Sequence, residues 1–440
     1  VSDPSEARGN SITAREILDK AAGQIDRDLA EDPALQARLL SQMGEVYRNL
    51  GLYAKAEPMV ERAIEIDRRV LGERDPETLR AMLGRVTLMA QTGRYPEAEK
   101  ASRELLDLQT RALGPDDPIR IRTFNNIAIA CWYQGRLPEA RALYEQALDL
   151  ARRTVGTRHP DALGTMNNLA LVDLDEERIG EAEHLFREVY EVRKEVSGAD
   201  HPDTLKSQVN IGLALQHGGR LDEAEAIYRD NYDARRRILG PEHPDTLMSM
   251  GTLASINQEL GRLKEAEELQ RALLDARRRS LGEDNPDTLR TMNDLANTFD
   301  IGGRHREAEA LYRDLIARRA RVLGPEAEET LSAHLDLAEA LRNQGRYREA
   351  RDEAASTLAA MRRVLEPGDS LLGEALYGLA CTEALDGRRD RAIEVLAEAL
   401  GAIPAPTARR LPTDPALQSL HADARFAALV TRAAEAAKGR

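Results

Sequence analysis

Apolar and polar positions recur along this chain of 440 residues with a fixed period of 42 residues. The period is marked by glycine at positions 51, 93, 135, 219, 261, 303, 345 and 387, and Glu177 fills the one missing place. Most of these glycines open a block of the type Gly-Arg-x-x-Glu-Ala, as from Gly93 to Ala98. A period of this length that is kept without insertion predicts a repeat array.

Each repeat is predicted to begin with a helix, called helix A, whose first residue is a proline. Proline recurs at 76, 118, 160, 202, 244 and 286, and the residue before it is Asp, His or Asn. Proline suits the first helical position because its missing N–H would have no partner there. The preceding side chain carries an acceptor that is able to cap the helix.

A second helix, helix B, is predicted after the glycine turn. Alanine occupies one position of helix B in every repeat, at 56, 98, 140, 182, 224, 266, 308, 350 and 392, and again at 14. A small side chain at this place allows helices A and B to pack closely. The pattern predicts an all-α fold, a right-handed superhelical solenoid of nine helix-turn-helix repeats with helical caps.

Glu177 is expected to disturb the turn of repeat 4. The glycines at this position supply a left-handed residue that ends helix A. A residue with a side chain costs roughly 1 kcal/mol there. We therefore predict a looser turn at Glu177, or one displaced towards Gly180.

The chain divides into three segments. Residues 32–401 hold the nine repeats. Residues 1–31 are predicted to form a half repeat with one capping helix, because Gly9 and Ala14 are in register with Gly51 and Ala56. Residues 402–440 carry prolines that break the helix, and they then form a predicted helical cap that contains Leu417, Leu420, Phe426 and Leu429. Such ends suit a solenoid, which must cover its terminal apolar faces.

Composition and charge narrow the function. Hydrophobic residues make up 42% of the chain and charged residues 31%, and the formal net charge is -14. An acidic chain argues against general binding of nucleic acid, since phosphate contacts need a basic surface. No stretch reaches the apolar length of a membrane span. The location is expected to be cytoplasmic, or extracytoplasmic if the chain follows a membrane span in a receptor-like kinase.

The pattern resembles the tetratricopeptide repeat in its long form, as in kinesin light chains. The resemblance covers about residues 32 to 400 and is carried by Asn167-Asn168-Leu169-Ala170, by the Gly-Arg-x-x-Glu-Ala turn and by His-Pro-Asp-Thr-Leu at the start of helix A. The segment from Ser2 to Asp19 and the closing Asp423-Ala424-Arg425-Phe426 resemble the repeat region at the end of bacterial serine/threonine protein kinases. That second resemblance implies a kinase domain and a membrane span before Val1.

No catalytic motif stands out. The sequence lacks a P-loop, a dinucleotide-binding glycine pattern, Cys-x-x-Cys and His-Glu-x-x-His. His159, His201 and His243 recur once per repeat, so they are interpreted as helix caps and not as converging metal ligands. We therefore predict no enzyme activity, no cofactor and no metal. The basic runs 235–237 and 277–279 either dock an acidic partner or simply suit the end of helix B.

The candidate binding site is a polar stripe on helix A, formed by residues at spacings of four, three and four on the face away from helix B. In repeats 3 to 5 this helix A stripe contains the predicted groove residues Arg122, Asn126, Tyr133, Asn168, Lys206, Asn210 and His217. A carboxamide both donates and accepts, so a row of asparagines suits the backbone of an extended peptide. The alternative is that the asparagines bond only to neighbouring helices.

These features predict a scaffold that binds a protein or peptide partner in a concave groove lined by helix A. The alternative function is the sensor or docking arm of a membrane-anchored bacterial serine/threonine kinase. An enzyme would need a convergent polar cluster that the repeat does not offer.

Overall fold

The computed structural model describes residues 25, 29 and 31–438, and for residues 436–438 it describes the backbone alone. The described residues contain helices and turns and no strand. The chain separates into two compact units, Val1–Arg220 and Leu221–Arg440. The predicted half repeat at 1–31 lies outside the described residues, apart from isolated positions.

The first unit consists of helix pairs that follow the predicted order, A then B. Its helices are α1 (Pro33–Asn49), α2 (Tyr53–Val70), α3 (Pro76–Gln91), α4 (Tyr95–Leu113), α5 (Ile119–Tyr133), α6 (Leu137–Thr154), α7 (Pro160–Asp175), α8 (Ile179–Ser197) and α9 (Pro202–His217). Odd numbers are helices A and even numbers are helices B. The prediction of repeated helix-turn-helix units is confirmed.

The second unit continues the series from helix B of repeat 5. Its helices are α10 (Leu221–Leu239), α11 (Pro244–Glu259), α12 (Leu263–Leu281), α13 (Pro286–Ile301), α14 (His305–Val322), α15 (Glu328–Asn343), α16 (Tyr347–Val364), α17 (Ser370–Leu385), α18 (Arg389–Ala399), α19 (Ala405–Arg410) and α20 (Ala424–Lys438). A short 3-10 helix, Pro415–Leu420, precedes α20.

Five of the six predicted prolines begin a helix A, and the sixth, Pro118, lies one residue before α5. The Nδ1 atom of His159 accepts a hydrogen bond from the N–H of Asp161 at 3.2 Å, and Asn285 Oδ1 accepts one from Asp287 at 2.9 Å. Asp75, His201 and His243 act in the same way. The histidines are therefore helix caps, as the sequence predicted.

The core of each unit lies between helices A and B. The alanines that recur on helix B from Ala56 to Ala392 are fully buried. Large side chains fill the remaining space, with Tyr144 and Phe186 fully buried in the first unit and Tyr312 buried in the second. A larger residue at the alanine positions would force the two helices apart, since interiors are close-packed.

The prediction of a looser turn at Glu177 is wrong. Glu177 adopts a left-handed conformation with φ of 59°. Its N–H donates to the carbonyl of Leu174 at 2.9 Å, and the N–H of Arg178 donates to the backbone carbonyl of Asp173 at 2.7 Å. The glycine turn of repeat 3 has the same two bonds, from Gly135 and Arg136. Two hydrogen bonds and the packed helices on either side hold Glu177 in the strained conformation.

Ion pairs connect each repeat to the next. The arginine after the turn binds a glutamate on helix B of the preceding repeat, as Arg94 Nη1 does with Glu57 Oε1 at 2.6 Å and Arg304 Nη2 with Glu267 Oε2 at 2.6 Å. Equivalent pairs are Arg136 with Glu99, Arg220 with Glu183, Arg262 with Glu225 and Arg346 with Glu309. We call this arrangement the inter-repeat clamp.

Two junctions reverse the charges of the clamp. Between repeats 3 and 4, helix B carries Arg141, which pairs with Asp173 and, at 2.7 Å, with Glu176. Between repeats 8 and 9, helix B carries Arg351, which pairs with Asp386 at 2.8 Å. The first of these reversed clamps contains the buried carboxylate of Asp173, which is only 2% exposed.

The segment after repeat 9 folds onto the last repeats. Leu417, Leu420, Phe426 and Leu429 are all buried, in one cluster with residues of repeats 8 and 9. Pro404 and Pro406 lie at the start of α19. The segment thus covers the apolar surface that the last repeat would otherwise expose.

Within the described residues, no helix has both the length and the apolar content that crossing a membrane requires.

Candidate functional site

The helix A stripe lines a cleft of about 540 Å³ in the first unit. The stripe residues that line it are Arg38, Gln42 and Glu45 from repeat 1, Arg80, Gly84 and Thr87 from repeat 2, and Arg122 from repeat 3. The stripe is therefore the surface that forms the cleft, although the cleft lies in repeats 1 to 3 and not in repeats 3 to 5. We call it the Arg cleft.

A second cleft, of about 600 Å³, lies in the second unit between repeats 8 and 9 and the terminal segment. It is lined by the stripe residues Ser332, Asp336, Glu339, Asn343, Glu374, Gly378, Cys381 and Leu385, and by Asp414 of the terminal segment. Carboxyl groups predominate here, whereas arginines predominate in the first cleft.

Both clefts contain a glycine at the second position of the stripe. Gly84 and Gly378 stand where repeats 3 to 5 carry Asn126, Asn168 and Asn210. A Cβ atom at Gly84 would meet no atom within 4 Å. The space for a ligand thus exists where the row of amide side chains is interrupted.

The predicted asparagines connect neighbouring helices A. Asn126 is only 6% exposed, and its Nδ2 donates to Thr87 Oγ1 at 2.9 Å. Asn210 Nδ2 donates to Asn167 Oδ1 at 2.6 Å. Asn168 is half-buried. Asn126 and Asn210 each use one amide donor within the array, and their place in a binding groove stays a prediction.

The other predicted residues are exposed. Tyr133 is 60% exposed, and its ring stacks on that of Tyr95 with the centroids 4.4 Å apart. Beside it, Trp132 Nε1 donates to Asp175 Oδ2 at 2.5 Å. Lys206 and His217 are exposed on helix A of repeat 5. Of the predicted groove residues, Arg122 alone lines either of these two clefts.

The arginines of the Arg cleft differ in their partners. Arg80 Nη1 pairs with Glu77 at 2.5 Å, and Arg48 Nη2 pairs with Glu45 at 3.4 Å. Among the described residues, neither Arg38 nor Arg122 has a carboxylate partner. These two exposed guanidinium groups are available to bind a ligand's carboxylate or carbonyl oxygens.

Asp67 is a functional candidate that the sequence reasoning missed. It lines the Arg cleft and is 4% exposed. Burial, together with the charges of Glu77 and Asp75, raises the pKa of its carboxyl to about 6. The available signal was the period itself, since Asp67 occupies the place of Arg193, Arg235, Arg277 and Arg319 in later repeats.

The second cleft, between repeats 8 and 9 and the terminal segment, also contains a carboxyl group with a raised pKa. Burial and the nearby charge of Glu339 raise the pKa of Asp336 to about 6. The hydroxyl of Tyr377 donates to Asp414, and burial raises the pKa of the Cys381 thiol to about 12. A thiol of this kind stays protonated near neutral pH and is a poor nucleophile.

The first arginine of each basic run at the end of helix B is structural, whereas Arg236, Arg237 and Arg279 are exposed. Arg235 and Arg277 are buried, and Arg235 Nη1 donates to the carbonyl of Asp245 at 3.1 Å and to Ser249 Oγ at 3.0 Å. Arg277 Nη1 makes the same pair of bonds, to Asp287 and Thr291. These side chains hold the next helix A and do not face a partner.

One cluster has the residue types of a metal site. Ligand atoms of Glu99, Cys131 and Glu139 lie within 4.8 Å of one another. However, Arg136 pairs with both glutamates, and Arg103 does so as well. Because the two guanidinium groups already neutralise the carboxylates, the cluster fits an ion-pair network and not a cation site.

Comparison with known proteins identifies the family. The tetratricopeptide repeat model matches residues 35–101, 83–153, 161–230, 203–272, 250–321 and 326–404. The chain belongs to the tetratricopeptide repeat family. No curated protein matches the sequence.

Several solved structures are similar. A chain described as a kinesin light chain with nearly identical TPR-like repeats, from Podosopora anserina, has 26% identity and a TM-score of 0.43, with 47% of this chain and 99% of that chain covered. The apo quorum sensor NprR from B. thuringiensis has 13% identity and a TM-score of 0.53, with 81% and 98% covered. Apo RapI has 9% identity and a TM-score of 0.55, with 84% and 99% covered. NprR and RapI are similar in fold alone.

Proposed function

We propose that the chain is a protein-interaction scaffold that binds a peptide segment of a partner protein along the helix A stripe, with the Arg cleft as its main subsite. The observation that carries the proposal is that stripe positions from three consecutive repeats line one cleft. Its volume of about 540 Å³ falls within the range that is usual for ligand sites.

The arginines indicate the chemistry of the peptide. Arg38, Arg80 and Arg122 occupy the same stripe position in successive repeats. Guanidinium groups form strong charge-assisted bonds with carboxylates. An extended peptide that follows the stripe and carries acidic side chains would therefore meet one arginine in each repeat.

The predicted residues of repeats 3 to 5 belong to the same proposal. Tyr133 offers an exposed aromatic surface at the end of α5, the helix that carries Arg122. Lys206 and His217 offer cationic or polar contacts farther along the stripe. Asn168 keeps an amide group on the same face. A long peptide would extend from the Arg cleft towards these residues.

Filling the cleft is the direct test. A displayed heptapeptide library is selected on the purified chain, and affinities of enriched peptides are measured by fluorescence anisotropy. Gly84→Asn places in repeat 2 the residue that repeats 3 to 5 already carry, so the helix should be preserved while the cleft is blocked. The matched control is Gly164→Asn, on helix A of repeat 4, where a Cβ atom also meets no atom within 4 Å.

We expect Gly84→Asn to abolish peptide binding and Gly164→Asn to preserve it. If Gly164→Asn alone abolished binding, the site would lie in repeats 3 to 5. Unchanged binding in both variants would disprove binding along the stripe.

The alternative proposal is a sensor or docking arm of a membrane-anchored serine/threonine kinase. It is supported by the resemblance of residues 2–19 and 423–426 to the repeat region of bacterial serine/threonine protein kinases. Residues 2–19 lie outside the described residues. Reading the coding sequence upstream of Val1 tests it directly, and a reading frame without a kinase domain would reject it.

A further inference from the structure

Asp67 stands in a place where repeats 4 to 7 carry an arginine. In repeats 4 to 6 the equivalent arginine donates to a carbonyl in the first turn of the next helix A, as Arg193 Nη1 does to Asp203 at 3.1 Å and Arg277 Nη1 does to Asp287 at 3.0 Å. In repeat 1 the same place holds a carboxyl group, which can donate no such bond when it is ionised.

The carboxyl of Asp67 has no hydrogen-bond or ion-pair partner among the residues that the structure describes. The residue is only 4% exposed. A buried carboxylate without a partner is unfavourable by several kcal/mol in an apolar setting and keeps its proton more readily. The raised pKa of Asp67, about 6, agrees with a site that lacks a cation.

The charges around Asp67 do not supply that cation. The charged groups that line the Arg cleft with it are Arg38, Glu45 and Arg48 from α1, Glu77 and Arg80 from α3, and Arg122 from α5. Two of these arginines pair with glutamates, and none binds Asp67. The nearby carboxylates Glu77 and Asp75 both act to raise the pKa of Asp67.

We propose that the Arg cleft binds a peptide segment that places a lysine or arginine side chain on Asp67 while its acidic side chains lie along Arg38, Arg80 and Arg122. This inference rests on the proposed function and specifies its ligand. A long flexible cation suits the site because the carboxyl is buried while the arginines are exposed. The cleft thereby selects a mixed-charge segment, and a purely acidic one would leave Asp67 without a partner.

The affinity for the peptide should depend on pH, because the cation binds the ionised form of Asp67. A bound ammonium or guanidinium group favours the ionised form of Asp67 and so lowers its pKa. The cation must displace a proton when the pH is below about 6, the pKa of the free site. Affinity for the mixed-charge peptide should therefore fall as the pH drops through that value.

The test uses the full chain and a randomised heptapeptide display library, with selection on the wild type, on Asp67→Asn and on the control Asp107→Asn. Asp107 is exposed on helix B of repeat 2 and pairs with Arg111, away from the cleft. The enriched peptides are then synthesised with lysine or with norleucine at the cationic position. Norleucine keeps the length of the side chain and removes its charge.

We expect the wild type and Asp107→Asn to enrich lysine or arginine at one fixed position beside acidic residues. Asp67→Asn should lose that cationic preference and keep the acidic one, and its affinity for the lysine peptide should fall about tenfold to hundredfold. The norleucine peptide should bind the wild type and Asp67→Asn alike.

Enrichment of acidic peptides without a cation, or a cationic preference that Asp67→Asn retains, would overturn the inference and leave the proposed function standing. Absence of any enriched peptide would instead reject the proposed function together with this inference. Circular dichroism of Asp67→Asn shows whether the variant is folded, so that a loss of binding is not mistaken for a loss of folding.

Discussion

Glu177 adopts a left-handed conformation that is unfavourable for a residue with a side chain. It is the one residue other than glycine with a positive φ among the described residues. The usual cost of this conformation is about 1 kcal/mol. We expect Glu177→Gly to raise the free energy of unfolding by about 0.5–1 kcal/mol, measured by urea unfolding.

The matched control for this change is Gly135→Ala, at the equivalent turn of repeat 3, where φ is 76°. It should lower the free energy of unfolding by about 1 kcal/mol. A destabilised Glu177→Gly variant would contradict this account and indicate that the Glu177 side chain makes a stabilising contact.

Asp67 links the stability of the folded chain to pH. Its pKa is about 6 in the folded state against 3.8 for an unperturbed Asp. Between these values the folded state holds a proton that the unfolded state has released, so the free energy of unfolding falls as the pH rises. Asp67→Asn should therefore raise the free energy of unfolding by about 1–3 kcal/mol near pH 7.

This stabilisation should shrink when urea unfolding is repeated below about pH 4, where both states are protonated. Asp107→Asn, at an exposed site, should show no such difference between the two conditions. A stabilisation of Asp67→Asn that did not change with pH would show that the carboxyl does not titrate as described.

The sequence predicted many single-residue roles but not the candidate site. Caps such as His159 and Asn285 were predictable because capping is local and repeats with the period. Asp67 and Gly84 were not recognised, since their importance depends on what their equivalents do in other repeats. For Asn126, the spacing predicts the face of the helix on which the side chain lies, but not how deeply the neighbouring helix covers that face.

At the scale of helices, the inter-repeat clamps differ in burial and therefore in energetic weight. Arg141 pairs with the buried Asp173, whereas Glu267 and Arg304 form a more exposed pair. Removing one member of a buried pair leaves an uncompensated charge and typically costs about 3–5 kcal/mol. Exposed pairs contribute at most about 1 kcal/mol.

We therefore expect Arg141→Ala to lower the free energy of unfolding by about 3 kcal/mol and Glu267→Ala by less than about 1 kcal/mol. Urea unfolding followed by circular dichroism compares the two variants. The double variant with Asp173→Asn should recover part of the loss, since the isolated charge is then removed. Equal costs for the two single variants would refute the distinction between clamps.

Helix order and most helix ends followed from the sequence, but the clamps did not. Proline, glycine and alanine act within one repeat, so their spacing predicts the helices directly. An ion pair between repeats depends on how one helix pair stacks on the next, which the period alone does not specify. In the sequence, the reversed clamps appear only as an arginine, Arg141 or Arg351, in a place where other repeats carry a glutamate.

At the scale of the whole chain, the division into two units predicts that each unit folds on its own. The core cluster around Tyr144 lies within the first unit, and that around Tyr312 lies within the second. Repeat stability is approximately a sum of repeat and neighbour terms. We expect fragments 1–220 and 221–440 each to keep a helical content per residue close to that of the full chain, measured by circular dichroism.

Both fragments should melt at a lower temperature than the full chain, because each holds fewer repeats and so fewer stabilising neighbour terms. Fragment 1–220 contains the complete lining of the Arg cleft and should bind selected peptides with unchanged affinity. A fragment that is unfolded at room temperature would contradict the division into units.

The reversed clamps restrict how the gene for such an array can gain or lose repeats. Excising residues 142–183 would bring Arg141 opposite Arg220 and place two positive charges together. Excising residues 142–351, which is five repeats, would bring Arg141 opposite Asp386, the carboxylate that Arg351 now pairs with. Recombination that preserves pairing at this junction is therefore limited to blocks of five repeats, and the nine units are not interchangeable despite their common length.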